Sequence, residues 1–247
     1  MKYKEFGDKK HPTIILLHGG GLSWWAFKNI VRFLQTEYYI VTPIIDGHGE
    51  DGDMPFISIQ DCAKKLLRYI DENFGGKVFA LGGLSLGAQI AVELLSQRTD
   101  VAQYAIIESA LVVPGAGTTC FTVMAYKLLY GLIRQRWFAR IQAKVLCIQE
   151  EMFTQYYEDS LNISRESLIN IAISNASYVA PGTLKNTKAK ALIIIGSKEI
   201  RRMDKSVRKM MNAIPASQVC IAPGMRHGEF GLGYHTEYLA LFKRLMA

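Results

Sequence analysis

Continuous apolar runs alternate along this chain with segments in which apolar residues recur at helical spacing. The runs lack the apolar and polar alternation of a half-exposed strand, so they predict strands buried on both faces of a sheet. The predicted strands are Thr13–Leu17, Tyr39–Thr42, Lys77–Gly82, Tyr104–Ile107, Ala191–Ile195 and Gln218–Ile221. Helical spacing separates the first four at Trp24–Leu34, Ile59–Ile70 and Ala88–Leu95. This order predicts an α/β fold with a mostly parallel sheet and helices on both faces.

The alternation is interrupted over residues 111–184, where helical patterns occur at Phe121–Ile133, Trp137–Gln149 and Ser164–Ala176. We predict a core formed by residues 1–110 and 185–247, and a helical cap formed by the interruption. The cap is expected over the carboxyl edge of the sheet, where such sheets bind ligands. Its apolar residues favour an apolar acyl or aromatic substrate, or else form the cap's own core: Phe121, Met124, Tyr126, Leu128, Tyr130, Trp137 and Phe138.

A glycine-flanked serine follows the third predicted strand, in the sequence Gly83-Leu84-Ser85-Leu86-Gly87. A sharp turn from strand to helix requires small residues two positions before and after the nucleophile, and Gly83 and Gly87 meet that requirement. Such a turn exposes the Ser85 hydroxyl and points the Leu86 N–H toward an anion beside it. Ser85 is the candidate nucleophile.

A serine nucleophile needs a histidine base, and the chain has five candidates. His227 is favoured, because it follows the last predicted strand and lies at the same sheet edge as Ser85. His235 lies further on, near the start of the last helix, and is the alternative. His18 and His48 stand in glycine turns, where an imidazole usually braces the loop; His11 is the remaining candidate.

The base in turn needs a carboxylate partner. Glu199 is favoured, because it leaves the fifth predicted strand on a loop at that edge. Asp204 in the same loop and Glu108 at the end of the preceding strand remain open. A surface ion pair with Lys198 or Arg201 is the structural alternative for Glu199.

A glycine loop, Gly19–Gly21, follows the first predicted strand. Glycines let backbone N–H groups approach an oxyanion closely, so Gly20 and Leu86 are the candidate donors of an oxyanion hole. A flexible turn without catalytic function is the alternative. The spacing needed for a phosphate-binding loop is absent. The residues predicted to line the substrate site are Gly21, Trp24 and Trp25.

The order Ser85, Glu199, His227, with His18-Gly-Gly-Gly upstream, resembles the α/β-hydrolase superfamily over almost the whole chain. Asp46-Gly-His-Gly49 is similar to a turn of its lid-bearing members. The resemblance implies an eight-stranded sheet, here abbreviated at its N-terminal side, and a cap after the sixth strand. It also implies a carboxylesterase-like serine hydrolase with no cofactor and no metal, acting on a small-molecule ester.

Composition and charge limit the classes of protein to which the chain could belong. The 247 residues, 49% hydrophobic and 21% charged, suit one domain with a substantial core. The net charge of +7 comes from scattered basic residues, with clusters at Arg134, Arg136 and Arg140 and at 201–209. This pattern argues against nucleic-acid binding and allows a weak preference for anionic surfaces.

The chain begins without a secretory apolar segment, and its longest uncharged run is broken by Pro114 and two glycines. We therefore predict a cytoplasmic protein without stable membrane insertion, either a monomer or a homodimer. The four cysteines form no C-x-x-C pair and are expected to be reduced core residues.

Two other functions stay open. The same three residues could cleave a carbon–carbon bond or a thioester, because the triad does not determine the electrophile. Alternatively, the protein could keep the fold and the triad for ligand binding or signalling without turnover.

Overall fold

A computed structural model describes residues 1–114, 124, 130–199 and 201–246. Within these residues one sheet has seven strands in the order β1-β3-β2-β4-β5-β6-β7. Only β1 runs antiparallel to its neighbour, and the other pairs are parallel. The strands are β1 (Lys2–Phe6), β2 (Thr13–Leu17), β3 (Tyr39–Ile44), β4 (Val78–Leu84), β5 (Ala102–Glu108), β6 (Lys190–Gly196) and β7 (Ser217–Ala222).

All six predicted strands are confirmed. The described residues contain seven strands rather than eight, because only β1 precedes the strand at Thr13. That is the N-terminal abbreviation which the sequence predicted.

The helices are α1 (Lys28–Leu34), α2 (Ile59–Phe74), α3 (Leu86–Gln97), α4 (Arg136–Val145), α5 (Phe153–Asn162), α6 (Arg165–Ser177), α7 (Arg201–Ala213), α8 (Glu229–Gly233) and α9 (His235–Met246). Short 3₁₀ turns lie at Trp24–Phe27, Gly49–Asp51, Glu150–Met152 and Gly182–Asn186. The Ser58 hydroxyl caps α2 by accepting the Asp61 N–H, and Gly75 ends that helix with a φ of 63°.

The core lies on both faces of the sheet, because successive residues of each strand point to opposite faces. In β2, Ile15 and Leu17 pack into the cluster that includes α2, α3 and α7. Ile14 and Leu16 pack into the opposite cluster, against α1 and α9. Burial on both faces is why these strands read as continuous apolar runs.

Among the described residues, helices α4 to α6 lie between β5 and β6, where the sequence predicted the cap, and residues 130–133 are helical as well. The patterns at Trp137–Gln149 and Ser164–Ala176 correspond to α4 and α6, whereas α5 was not predicted. The pattern at Phe121–Ile133 lies mostly outside the described residues, as do Phe121, Tyr126 and Leu128.

The cysteines within the described ranges are free: Cys62 is buried, and Cys147 and Cys220 are half-buried. Cys120 lies outside the described residues. Across those same ranges, no helix combines the length and apolar character needed to cross a bilayer. Nor does the described part of the chain contain a group of three or more His, Cys, Asp or Glu side chains that could hold a metal ion.

Candidate active site

Ser85 stands on a strained turn between β4 and α3. Its backbone has a φ of 52° and a ψ of −111°, a region that residues with a side chain rarely adopt. The turn is tight enough that a Cβ on Gly83 would lie 2.5 Å from the Gly87 carbonyl oxygen. A Cβ on Gly87 would collide with the carbonyl oxygens of Leu17 and His18. The two glycines are therefore a steric condition of this turn.

A row of hydrogen bonds joins the favoured nucleophile, base and acid. His227 Nε2 lies 2.9 Å from Ser85 Oγ, and His227 Nδ1 lies 2.9 Å from Glu199 Oε2. Because an ionised carboxylate only accepts hydrogen bonds, His227 donates from Nδ1 and its Nε2 is left to accept the serine proton. The other oxygen of Glu199 accepts from the Ser109 hydroxyl and the Gly196 N–H, both at 2.7 Å.

These contacts keep Glu199 charged although its side chain is only 1% exposed. Burial by itself raises the pKa of the Glu199 carboxyl. The hydrogen bond and the charge of His227, together with the bonds from Ser109 and Gly196, outweigh burial and leave that pKa below its usual value. Glu199 is thus able to hold the imidazole in one tautomer and to stabilise its cation.

The two alternative acids are placed differently. Glu108 is 2% exposed and accepts the Gly231 N–H at 2.9 Å. Burial raises the pKa of Glu108 to about 7. Asp204 was expected in the loop with Glu199, but it lies in the first turn of α7 and is exposed. Within the described residues, the carboxylate hydrogen-bonded to His227 is that of Glu199.

His18 and His48 brace the loops near the site. His18 Nδ1 lies 2.9 Å from the Gly19 carbonyl oxygen, and its Nε2 accepts the Ile45 N–H at 3.0 Å. Burial, with His48 nearby, lowers the pKa of His18 to about 3, so the ring is neutral. His48 Nδ1 donates to the Asp46 carbonyl oxygen at 3.0 Å.

The other two histidines lie apart from Ser85. His235 is the first residue of α9, and its Nδ1 is 3.4 Å from the side-chain amide of Asn29. His11 precedes β2, at the opposite edge of the sheet.

A cavity of about 400 Å³ lies directly above Ser85 and His227. Gly19, Gly20 and Gly21 form part of its wall. Leu86 is the first residue of α3, so its N–H belongs to the first turn, where backbone donors have no partner within the helix. Both proposed oxyanion donors, Gly20 and Leu86, are therefore adjacent to the nucleophile in the structure.

The cap forms much of the remaining cavity wall, which also includes Leu22, Leu84, Gly228 and Leu232 of the core. Most of the cap residues that line the cavity are apolar, and the polar side chains among them come from α4, α5 and α6. The cap residues are Ile133, Phe138, Ile141, Gln142, Val145, Leu146, Tyr156, Ser160, Ile163, Leu168, Ile171, Ala172 and Asn175.

Trp24 and Trp25 do not line this cavity, which corrects the expectation that they form the substrate site. Trp24 packs 5.7 Å from the Phe6 ring, and its ring faces the Lys4 ammonium. Trp25 is buried, and its indole N–H donates to Asp159 of the cap at 2.6 Å. The 3₁₀ turn that carries both residues directs one ring toward β1 and the other beneath α5. Of the three predicted lining residues, Gly21 alone is in the cavity wall.

A sequence profile described as the alpha/beta hydrolase family matches residues 14–237. The chain belongs to this family. An alpha/beta hydrolase family protein of Desulfitobacterium hafniense has the same fold, with a TM-score of 0.79 and 21% identity over the full length of both chains. An esterase from Exiguobacterium antarcticum superposes with a TM-score of 0.81 and 15% identity, over 99% of this chain and 95% of the esterase. Identities this low show the fold alone.

Among curated relatives, the 1H-3-hydroxy-4-oxoquinoline 2,4-dioxygenase of Pseudomonas putida is 30% identical over 98 residues. That segment spans 39% of this chain and 37% of the relative. The chain thus matches well under half of the length of this curated relative.

Proposed function

We propose that this hydrolase-family protein is a serine hydrolase that cleaves carboxylic esters carrying apolar acyl or aromatic groups. The observation that carries the proposal is the continuous hydrogen-bonded row of Ser85, His227 and Glu199 at the floor of a largely apolar cavity. Nucleophile, base and orienting acid have the mutual geometry that acyl transfer requires.

In the first half of the reaction, Ser85 Oγ attacks the ester carbonyl carbon while His227 Nε2 takes the hydroxyl proton. The carbonyl oxygen becomes an oxyanion, which accepts hydrogen bonds from the N–H groups of Gly20 and Leu86. Glu199 stabilises the imidazolium. When the tetrahedral intermediate collapses, His227 gives its proton to the departing alcohol oxygen, and the acyl group stays on Ser85.

In the second half, water enters the place of the alcohol. His227 removes a proton from this water as it attacks the acyl carbon, and the second tetrahedral intermediate uses the same two donors. Collapse returns the proton to Ser85 and releases the carboxylic acid. Since the site offers the same groups to both halves, no further residue is needed for turnover.

The cavity supports the substrate class. Its volume falls within the range of small-molecule sites, and its wall is mainly aliphatic with few polar groups. Cap residues such as Phe138, Ile171 and Leu168 face the space above Ser85, where an acyl chain or aromatic group would lie.

A second candidate is cleavage of a carbon–carbon bond or a thioester by the same three residues. One observation favours this second candidate. The chain is similar to a relative that is named as an oxoquinoline 2,4-dioxygenase and not as an esterase. In this reaction Ser85 would attack a ketone or thioester carbonyl, and His227 would protonate the departing carbanion or thiolate.

The test is the hydrolysis rate of p-nitrophenyl esters of increasing acyl length by wild type, Ser85→Ala and Ser160→Ala. Ser160 is the matched control, because its hydroxyl lies in the cavity wall but donates to the Tyr157 carbonyl oxygen. We expect turnover to be lost in Ser85→Ala and retained in Ser160→Ala. Equal hydrolysis rates in wild type and Ser85→Ala would refute the assignment of Ser85 as the nucleophile.

Matched ester, thioester and β-diketone substrates separate the two candidates. A preference for the diketone by several orders of magnitude would refute the esterase. If no substrate is turned over, yet a ligand raises the melting temperature of wild type and Ser85→Ala equally, the protein is a binding member of the fold.

A further inference from the structure

One side of α4 exposes apolar side chains to solvent. Trp137, Ile141 and Val145 are 58%, 53% and 68% exposed. Residues four positions apart lie above one another on a helix, so the three form a single stripe along α4. Isolated exposed apolar residues are ordinary, whereas contiguous exposed apolar patches are characteristic of interaction surfaces.

A basic stripe runs beside the apolar one. Arg136, Arg140 and Lys144 are each one position before a member of the apolar stripe, and all three are exposed. Residues 109–149 contain five Lys or Arg and no Asp or Glu, and Glu150 and Glu151 follow directly. Arg140 forms an exposed ion pair with Glu150, at 2.5 Å.

The apolar stripe continues into the cavity. Ile141 and Val145 belong both to the exposed stripe and to the cavity wall. Phe138 and Gln142, on the next side of α4, line the cavity as well. Going around the helix, the order is therefore basic stripe, apolar stripe, cavity. An apolar molecule lying against the stripe would be next to the space above Ser85.

We propose that these two stripes of α4, Arg136/Arg140/Lys144 and Trp137/Ile141/Val145, dock the protein reversibly onto an anionic lipid bilayer surface. Adjacent apolar and cationic rows on one helix match an interface in which acyl chains begin directly beneath anionic head groups. The net charge of +7 draws the whole protein toward such a surface. Docking there would place the cavity mouth at the lipid boundary, and it does not depend on the reaction proposed for Ser85.

The experiment is co-sedimentation of the full chain with phosphatidylcholine vesicles that contain or lack phosphatidylglycerol, at low and high salt. We expect binding to the anionic vesicles, loss of it in high salt, and weak binding to the neutral ones. Tryptophan emission should shift to the blue on binding, because Trp137 is exposed whereas Trp24 is half-buried and Trp25 is buried.

Two pairs of variants test the surface itself. Arg136→Gln/Lys144→Gln should weaken anionic-vesicle binding about 25-fold, from about fivefold for each charge. Lys205→Gln/Arg208→Gln, on exposed positions of α7, makes the same change in net charge and should have a much smaller effect. Trp137→Ala should weaken binding about tenfold. Phe33→Ala, at a residue 57% exposed on α1, is its control.

The proposal is overturned if wild type does not bind anionic vesicles at low salt, or if the α4 and α7 pairs weaken binding equally. It is also overturned if the α4 variants change the oligomeric state while vesicles do not bind, since the face would then join two copies of the chain. Melting temperatures verify that each variant is folded. Rates on dissolved esters, measured without vesicles, report separately on the proposed hydrolysis.

Discussion

Replacing Glu108 with Gln should stabilise the fold by an amount that grows as the pH rises. The Glu108 carboxyl is 2% exposed at the end of β5, and burial raises its pKa from 4.5 to about 7. The Gly231 N–H and the nearby His227 lower that pKa, while the charge of Glu199 raises it. The folded state therefore holds the proton on Glu108 where the unfolded chain has already released it.

The direction of the pH effect on stability follows from the difference between the folded and unfolded pKa of Glu108. Because the pKa is raised on folding, Glu108 costs no stability below about pH 4.5, and the cost grows as the pH rises toward 7. The shift corresponds to a loss of about 2–3 kcal/mol in the free energy of unfolding between pH 5 and pH 8. Gln keeps an oxygen that can accept the Gly231 N–H and has no proton to release, so the variant avoids this loss.

Urea unfolding of wild type and Glu108→Gln at pH 5 and pH 8 measures the effect. The stability of the variant relative to wild type should increase by about 2–3 kcal/mol from the lower to the higher pH. Glu158→Gln, the same change at an exposed position, controls for net charge. A variant-minus-wild-type difference that is the same at both pH values would show that Glu108 is ionised in the folded protein, and the reasoning would fail.

Three other changes have defined outcomes. Glu199→Gln should lower kcat by about 10⁴ with little change in stability, as the equivalent change of a serine-protease triad does, because the amide favours the wrong tautomer of His227; a loss seen in Glu108→Gln instead would move the acid to β5. Gly87→Ala should abolish a stable elbow, which thermal unfolding detects, because its Cβ meets backbone oxygens that cannot move aside; an unchanged melting temperature contradicts this. Trp25→Phe should cost about 1–3 kcal/mol in urea unfolding, since it leaves the buried Asp159 without its indole donor; a neutral result would mean that water replaces the bond.

Local sequence signals predicted the elements that carry the candidate site. The flanking glycines of Ser85 identified its turn, because their requirement arises within five consecutive residues. The position of α2 was readable from its helical spacing, and the missing strands between β5 and β6 indicated helices there. By contrast α5, which forms part of the cavity wall, was not predicted.

Aromatic residues next to the glycine loop were a poor guide to the cavity. Trp24 and Trp25 are neighbours of Gly21 in sequence, but the direction of their rings depends on what packs against the 3₁₀ turn. Asp159, the partner of Trp25, is 134 positions away and in the cap. A contact between residues so far apart in the sequence leaves no local pattern near Trp25 from which it could be predicted.

The amino-acid sequence was sufficient to predict the α/β class, six of the seven described strands, the elbow at Ser85 and a short set of bases and acids. These properties depend on apolar periodicity and on backbone sterics, which act over a few residues. Only the folded chain shows that His227 bridges Ser85 and Glu199, whereas Glu108 accepts the Gly231 N–H. Both carboxylates lie at the ends of neighbouring strands, so the choice between them depends on how separate loops pack at one sheet edge, and only the assembled fold defines those distances.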